Sequence, residues 1–118
     1  MSRQLNDLSK EFRPLAMELL ARLTEANIPV KIIDTLRTPA EQAENIRKKV
    51  SWTLLSKHLT GDAIDVCPYE VYIHGGTNKL LWAPSPIWTK VGLIGESLGL
   101  TWGGRWKVRD LGHFERKS

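Results

Sequence analysis

The chain has 118 residues, 42% of them hydrophobic and 25% charged, which suits one modest folded domain and excludes a disordered chain. Its formal net charge of +4 arises from Lys and Arg residues spread along the chain, so the basic run of a nucleic-acid-binding arm is absent. The single cysteine, Cys67, excludes an intrachain disulfide, and no apolar stretch approaches the ~20 residues of a membrane span. We therefore expect a single domain, residues 1–118, that binds no nucleic acid and spans no membrane.

The N-terminal third predicts a helix followed by a strand. Apolar residues recur at helical spacing from Leu5 to Leu23, with Pro14 among them. Because proline is tolerated in the first turn of a helix, we expect a short helical turn and then a helix that begins near Pro14 and runs to about Ala26. The β-branched run from Val30 to Asp34 is typical of a buried strand.

A second helix is predicted directly after this strand. Thr38 and Glu41 have the spacing of a capping box, in which each side chain accepts a hydrogen bond from the other residue's backbone N–H. The helix should cover about residues 39–49. Arg37 then lies at the corner between strand and helix.

The middle of the chain predicts a strand and a hairpin. Residues Ala63 to Cys67 alternate in polarity and are followed by Pro68, so we expect a strand that ends at the proline, with Asp65 on one face. Residues 71–81 have the glycines of a hairpin turn, with His74 as a solvent-facing turn residue.

The C-terminal third predicts one helix and two short strands. Ser85 and Pro86 indicate a helix start, and Gly99 indicates its end. Residues 100–102 and 112–115 are the last predicted strands. Helices lead and short strands dominate later, which predicts an α+β fold with a small, mainly antiparallel sheet and helices packed against it.

Two segments carry residue types that bind metal ions. SKHLTGDAIDV contains His58 and Asp65, and RDLGHFE contains His113. A glycine turn at Gly61 lets His58 and Asp65 converge, and His113 would come from a neighbouring strand. Two imidazoles and one carboxylate are a typical ligand set of a catalytic zinc site, which keeps a fourth position open for water. The net positive charge of such a site makes its water easier to ionise.

Two further carboxylates lie close to His113 in the sequence. Asp110, three residues before it, is expected to reach the water at such a site without being a ligand, and is our candidate general base. Glu115 shares a face with His113 by strand alternation, which allows either a ligand role or a supporting role behind the ligands.

Other residues are candidates for contacts with a substrate. Arg37 can stabilise a developing oxyanion or clamp a substrate carboxylate. Trp102 and Trp106 flank the WGGRW turn. The sequence allows each tryptophan either to belong to the core or to form a wall of the substrate groove.

The pattern Ser-x-His-x-x-Gly-x-Ala-x-Asp, here SKHLTGDAID, with the later Asp-x-x-His, here DLGH, resembles the D-Ala-D-Ala carboxypeptidase and VanY superfamily of zinc peptidases. Within that superfamily the chain is most similar to phage endolysins of the L-alanyl-D-glutamate peptidase type. The resemblance extends from Arg37 to Glu115 and implies a hedgehog/D,D-peptidase-like fold. It also implies site roles: zinc ligands His58, Asp65 and His113, catalytic base Asp110, carbonyl or substrate contact Arg37, and site-shaping residues Ser56 and Gln42. Several superfamily members have Glu in place of Asp110.

The function implied by this resemblance is zinc-dependent hydrolysis of an amide bond in peptidoglycan stem peptides, as an L-alanyl-D-glutamate endopeptidase. Two alternatives remain open: a D,D-carboxypeptidase or dipeptidase with the same metal site, and a non-catalytic, zinc-stabilised wall-binding module. The N-terminal residues MSRQLNDLSKEFR lack the apolar region of a signal peptide. We therefore expect a monomer that is made in the host cytoplasm, is released by a partner such as a holin and acts on the cell wall.

Overall fold

The computed structural model describes residues 2–36, 38, 40–41, 57–70 and 79–117. These residues form an α+β fold, as the sequence predicts. The helices are α1 (Arg13–Glu25) and α2 (Pro86–Ser97), and the strands are β1 (Val30–Asp34), β2 (Ala63–Glu70), β3 (Lys79–Leu80), β4 (Thr101–Trp102) and β5 (His113–Glu115). Short 3-10 turns occur at Leu5–Asp7, Lys57–Thr60 and Gly103–Arg105. In the described part of the chain, neither helix combines the length and apolarity needed to cross a membrane.

Helix α1 begins and ends as the sequence predicts. Pro14 is its second residue, where a missing N–H removes no helical hydrogen bond. At the other end Asn27 adopts a left-handed conformation (φ 60°), and the N–H of Ile28 donates to the carbonyl of Leu23 at 2.9 Å. This is a Schellman motif, which satisfies carbonyls that the helix end would leave without partners. Helix α2 ends in the same way at Gly99, whose φ is 81°.

The strands form one five-stranded antiparallel sheet in the order β1-β2-β5-β4, with β3 also pairing with β2. In this register Asp65 of β2 lies opposite His113 of β5. It also lies opposite Asp34, beside an irregularity in the β1–β2 pairing. The central position of β2 therefore places Asp65 between two neighbouring strands.

The prediction that the strand ends at Pro68 is wrong, because β2 continues to Glu70. Pro68 lacks a backbone donor, but the ladder continues around it. The N–H of Tyr69 donates to the carbonyl of Pro29 at 3.1 Å, and the carbonyl of Pro68 accepts a hydrogen bond from Leu81 at 2.8 Å. The neighbouring residues therefore supply the hydrogen bonds that hold the proline within the sheet.

Two other predictions lie largely outside the described residues. The helix predicted at residues 39–49 is described only at its start, where both bonds of the capping box are present. The N–H of Thr38 donates to Glu41 Oε1 at 3.0 Å, and the N–H of Glu41 donates to Thr38 Oγ1 at 3.1 Å. The hairpin turn around His74 is also outside the described residues, although β2 and β3 pair antiparallel on either side of it.

The core lies between the two helices and one face of the sheet, and α2 approaches the sheet through glycines. A Cβ atom built on Gly92 would lie 2.4 Å from the ring of Trp102, and one built on Gly95 would lie 2.2 Å from the ring of Phe114. Both rings are buried. Since Phe114 directly follows His113, the packing of α2 against β5 also holds the strand that carries this histidine.

We expect Gly95→Ala to destabilise the fold. Overpacking against Phe114 should cost about 1–3 kcal/mol, which exceeds the ~1 kcal/mol that alanine gains over glycine in helix propensity. Urea unfolding followed by circular dichroism measures the difference, with Lys90→Ala on the exposed side of α2 as the control. Equal stability of Gly95→Ala and the wild type would contradict the close packing of α2 on β5.

Candidate metal centre

Three side chains with metal-binding atoms converge at one end of β2. His58 belongs to the turn Lys57–Thr60, Asp65 to β2 and His113 to β5, and one ligand atom from each lies within 4.8 Å of the others. Asp65 connects the two rings, since its Oδ2 is 3.1 Å from His58 Nε2 and its Oδ1 is 3.0 Å from His113 Nδ1. Both histidines are buried. Two imidazole nitrogens and a carboxylate oxygen in this arrangement could hold a divalent metal ion such as zinc.

The chain path explains why His58 and Asp65 meet. Gly61 has a φ of 74° and reverses the chain between the turn of His58 and the start of β2. A Cβ atom there would lie 2.8 Å from the backbone nitrogen of Ser9, so the position requires glycine for space as well as for conformation. The N–H of Asp62 donates to the carbonyl of Lys57 at 2.9 Å and closes the reversal.

Each histidine has a second partner on the ring nitrogen that points away from Asp65. His58 Nδ1 is 2.6 Å from the carbonyl oxygen of Thr35, and His113 Nε2 is 2.9 Å from Glu115 Oε1. Because a carbonyl only accepts hydrogen bonds, His58 must carry its proton on Nδ1. That leaves the lone pair of His58 on Nε2, which faces Asp65. His58 therefore has the tautomer that a metal ligand needs, and the three ligand atoms have suitable spacing.

The charges of the site depend strongly on one another. Burial raises the pKa of Asp65, but the hydrogen bond from His113 and the interaction with His58 outweigh it and hold the pKa well below its usual range. Burial lowers the pKa of His113, whereas the hydrogen bonds to Asp65 and Glu115 raise it, to about 9 overall. Burial likewise raises the pKa of Glu115, but its hydrogen bond and charge interaction with His113 lower it overall. Without a metal ion, the two carboxylates hold a proton on His113.

Asp110 lies at the edge of the donor set. Its side chain is 53% exposed, and its Oδ2 is 4.0 Å from His113 Nδ1. Its backbone position is fixed by Gly103, whose carbonyl accepts the N–H of Asp110 at 3.0 Å. A Cβ atom on Gly103 would lie 2.5 Å from the carbonyl oxygen of Asp110, so this approach depends on glycine. Asp110 thus presents a solvent-accessible carboxylate next to a candidate ligand.

The two tryptophans of the WGGRW turn have different environments. Trp102 is buried, and its Nε1 donates to the carbonyl of Leu111 at 2.8 Å, so it belongs to the core. Trp106 is 37% exposed, and its ring centroid lies 5.0 Å from that of His113. Of the two, Trp106 therefore forms an aromatic surface beside the donor set.

The remaining candidate residues from the sequence cannot be placed in this geometry. Arg37, Gln42 and Ser56 lie outside the described residues. Sequence reasoning also missed Thr35, which supports His58 through its backbone carbonyl and so leaves no side-chain signal.

Comparison with known proteins places these residues in a family. A sequence model described as D-alanyl-D-alanine carboxypeptidase matches residues 49–116, a range that includes His58, Asp65, Asp110 and His113. The L-alanyl-D-glutamate peptidase of Listeria phage A118 is 33% identical over 102 residues, or 86% of this chain. The chain spans only 35% of the length of that relative.

A solved structure is also similar to this chain. The L-Ala D-Glu endopeptidase ChiX of Serratia marcescens matches it with a TM-score of 0.71 and 26% identity, covering 96% of this chain and 83% of that one. The similarity therefore extends over almost the whole fold described above.

We expect zinc binding near pH 7 to release about one proton per site. His113 is protonated below about pH 9 without metal, and a metal ion at Nδ1 must displace that proton. Affinity should therefore rise as pH increases, by about tenfold per unit until about pH 9. Isothermal titration calorimetry in buffers of different ionisation enthalpy counts the protons. A proton count of zero, or an affinity independent of pH, would contradict binding through His113.

Proposed function

This chain belongs to the D-alanyl-D-alanine carboxypeptidase family, and from that premise we propose that it is a zinc-dependent peptidase acting on peptidoglycan stem peptides. The bond that we propose is cleaved is the amide between L-alanine and D-glutamate. The phage relative is an L-alanyl-D-glutamate peptidase and the Serratia marcescens enzyme is an L-Ala D-Glu endopeptidase, which supports this choice. Hydrolysis of this bond would take place at His58, Asp65, His113 and Asp110.

The observation that carries the proposal is the combination of a compact metal-type donor set with an accessible carboxylate beside it. His58, Asp65 and His113 bring their ligand atoms within 4.8 Å of one another, and Asp110 Oδ2 is 4.0 Å from His113 Nδ1. A site that only stabilised the fold would need the first feature and not the second, because structural zinc sites are closed by four protein ligands. In the part of the chain that the structure describes, the candidate donor group has three residues, one fewer than the four ligands of a structural zinc site.

The metal ion would be held by His58, Asp65 and His113, and would act as a Lewis acid that polarises the scissile carbonyl and eases ionisation of water. The protein's own contribution to proton transfer is Asp110. Its carboxylate accepts a proton from water as the water oxygen bonds to the carbonyl carbon. It then delivers that proton to the amide nitrogen as the C–N bond breaks, so that a free carboxylate and a free amine are produced.

Residues predicted from the sequence complete the proposed mechanism. We assign Arg37 to the developing oxyanion or to a substrate carboxylate, since a guanidinium can stabilise either. Gln42 and Ser56 are assigned to shaping the site. Trp106, beside His113, offers an aromatic surface on which the substrate backbone can pack.

The biological setting of this activity is also proposed. The phage relative supports an endolysin role, in which the protein is made in the host cytoplasm and degrades the cell wall after release by a holin. We propose that it acts as a monomer, because one chain supplies the three candidate ligands and the candidate base.

The second candidate is a D,D-carboxypeptidase or dipeptidase with the same metal site, which the description of the matching family favours. The two candidates differ in the products they release. We expect digestion of purified peptidoglycan to produce new L-alanine carboxyl termini and D-glutamate amino termini, identified by mass spectrometry. Release of free D-alanine without these termini would favour the carboxypeptidase and sink the endopeptidase proposal.

Asp110→Asn tests the catalytic role of the carboxylate against a non-catalytic wall-binding module. We expect kcat to fall by about 10²–10⁴-fold, because a general base typically contributes that much, while zinc content stays at the wild-type level. Asp7→Asn, in the 3-10 turn Leu5–Asp7, is the matched control and should retain wild-type activity. Unchanged lysis by Asp110→Asn with zinc still bound would remove Asp110 from the mechanism.

A further inference from the structure

Glu115 contacts His113 on the side of the ring that faces away from Asp65. The two residues lie on the same face of β5, and Glu115 Oε1 is 2.9 Å from His113 Nε2. Glu115 is not among the three residues that could hold a metal ion together in the described part of the chain. Its side chain is only 17% exposed, so this hydrogen bond is largely shielded from water. The carboxylate therefore contacts His113 on the side of the ring away from the other two candidate ligands.

The hydrogen bond determines which nitrogen of His113 is available as a ligand. An ionised carboxylate only accepts hydrogen bonds, so Nε2 must carry the proton that it donates to Glu115. In the neutral ring the lone pair is then on Nδ1, which is 3.0 Å from Asp65 Oδ1. Without an acceptor at Nε2, the neutral ring is free to place its proton on Nδ1, where it would block metal binding.

Lys57 contacts the other oxygen of the same carboxylate. Its Nζ is 3.4 Å from Glu115 Oε2, and it also donates a hydrogen bond to the carbonyl of Arg116. Lys57 directly precedes His58 in the turn Lys57–Thr60. The ion pair therefore links the segment that carries one candidate ligand, His58, to the strand that carries another, His113. Its side chains are only 27% and 17% exposed, which reduces screening by water.

We propose that Glu115 and Lys57 are positioning residues of the metal centre: Glu115 holds His113 in the tautomer that presents Nδ1, and Lys57 holds Glu115 while joining the two ligand segments. This inference rests on the proposed function, because it requires the three residues to bind a metal ion. It adds residues that contact neither the metal ion nor the substrate. Partners of this kind orient ligand imidazoles and raise their basicity.

Glu115→Gln is the sharpest test, because it keeps the size of the side chain and removes its charge. The amide can donate a hydrogen bond to Nε2, which favours the tautomer with its proton on Nδ1. We expect the dissociation constant for zinc, measured by competition with a chromophoric chelator, to increase by about 10–100-fold. Glu18→Gln removes a carboxylate from the exposed pair of Glu18 with Arg22 on α1 and should leave zinc affinity unchanged.

A spectroscopic readout separates positioning from a general loss of structure. In the zinc-loaded wild type, nitrogen-15 NMR of the histidine rings should show the His113 proton on Nε2 and the metal on Nδ1. In Glu115→Gln this signature should weaken or change while the other resonances of the folded protein are retained. Wild-type zinc affinity together with an unchanged His113 signature in Glu115→Gln would overturn the proposal.

Lys57→Met provides a second variant in case Glu115→Gln does not fold. It keeps the apolar stem of Lys57 and removes the cation, so we expect weaker zinc binding in the same direction. Unchanged zinc affinity in Lys57→Met would overturn the role of Lys57. Wall digestion by the wild type is measured in parallel. If the wild type digests the wall and both variants bind zinc as tightly as the wild type, only this inference is overturned. Tight zinc binding without digestion overturns the proposed function and leaves the positioning test intact.

Discussion

The site is organised around one carboxylate that two buried histidines share. Asp65 contacts His58 Nε2 through one oxygen and His113 Nδ1 through the other. A carboxylate and two imidazoles removed from water are unfavourable unless each polar atom finds a partner. The arrangement meets this requirement because the outer ring nitrogens donate hydrogen bonds to the Thr35 carbonyl and to Glu115. A metal ion among the three inner atoms would replace the positive charge of the His113 proton that it displaces.

The rest of the fold keeps these three segments in register. Pairing of β2 with β5 sets Asp65 opposite His113, and the reversal at Gly61 brings His58 to the same end of β2. Helix α2 packs tightly on β5 because Gly95 leaves room for Phe114. Strand pairing and close packing thus fix the backbone at the place where a displacement would separate the ligand atoms. We therefore expect stability and metal binding to be coupled in this protein.

The sequence predicted the parts that side-chain patterns encode. The bounds of β1 matched the structure, and the turn and helix signals near Pro14, Ser85 and Gly99 correctly located both described helices. The prediction for Pro68 failed because hydrogen bonds from neighbouring strands compensated for its missing donor, and a single sequence does not reveal such tertiary pairing.

The candidate site shows the same division between what sequence patterns encode and what depends on tertiary contacts. His58, Asp65 and His113 were selected from two short motifs, and their spatial convergence is a property of the fold. The support from Thr35 comes from a backbone carbonyl, which any residue type provides. The choice between core and groove for Trp102 and Trp106 depended on packing against Leu111 and His113, contacts that local sequence does not specify.

Chelator-sensitive lysis tests the central claim most directly. Permeabilised bacterial cells are incubated with the wild-type protein, and the loss of turbidity is followed with a chelator, without it, and after zinc is added back. The account predicts lysis by the untreated protein, its loss in chelator and its recovery with zinc. Lysis that persists in excess chelator, or a complete absence of lysis by the zinc-loaded protein, would contradict a metal-dependent wall peptidase.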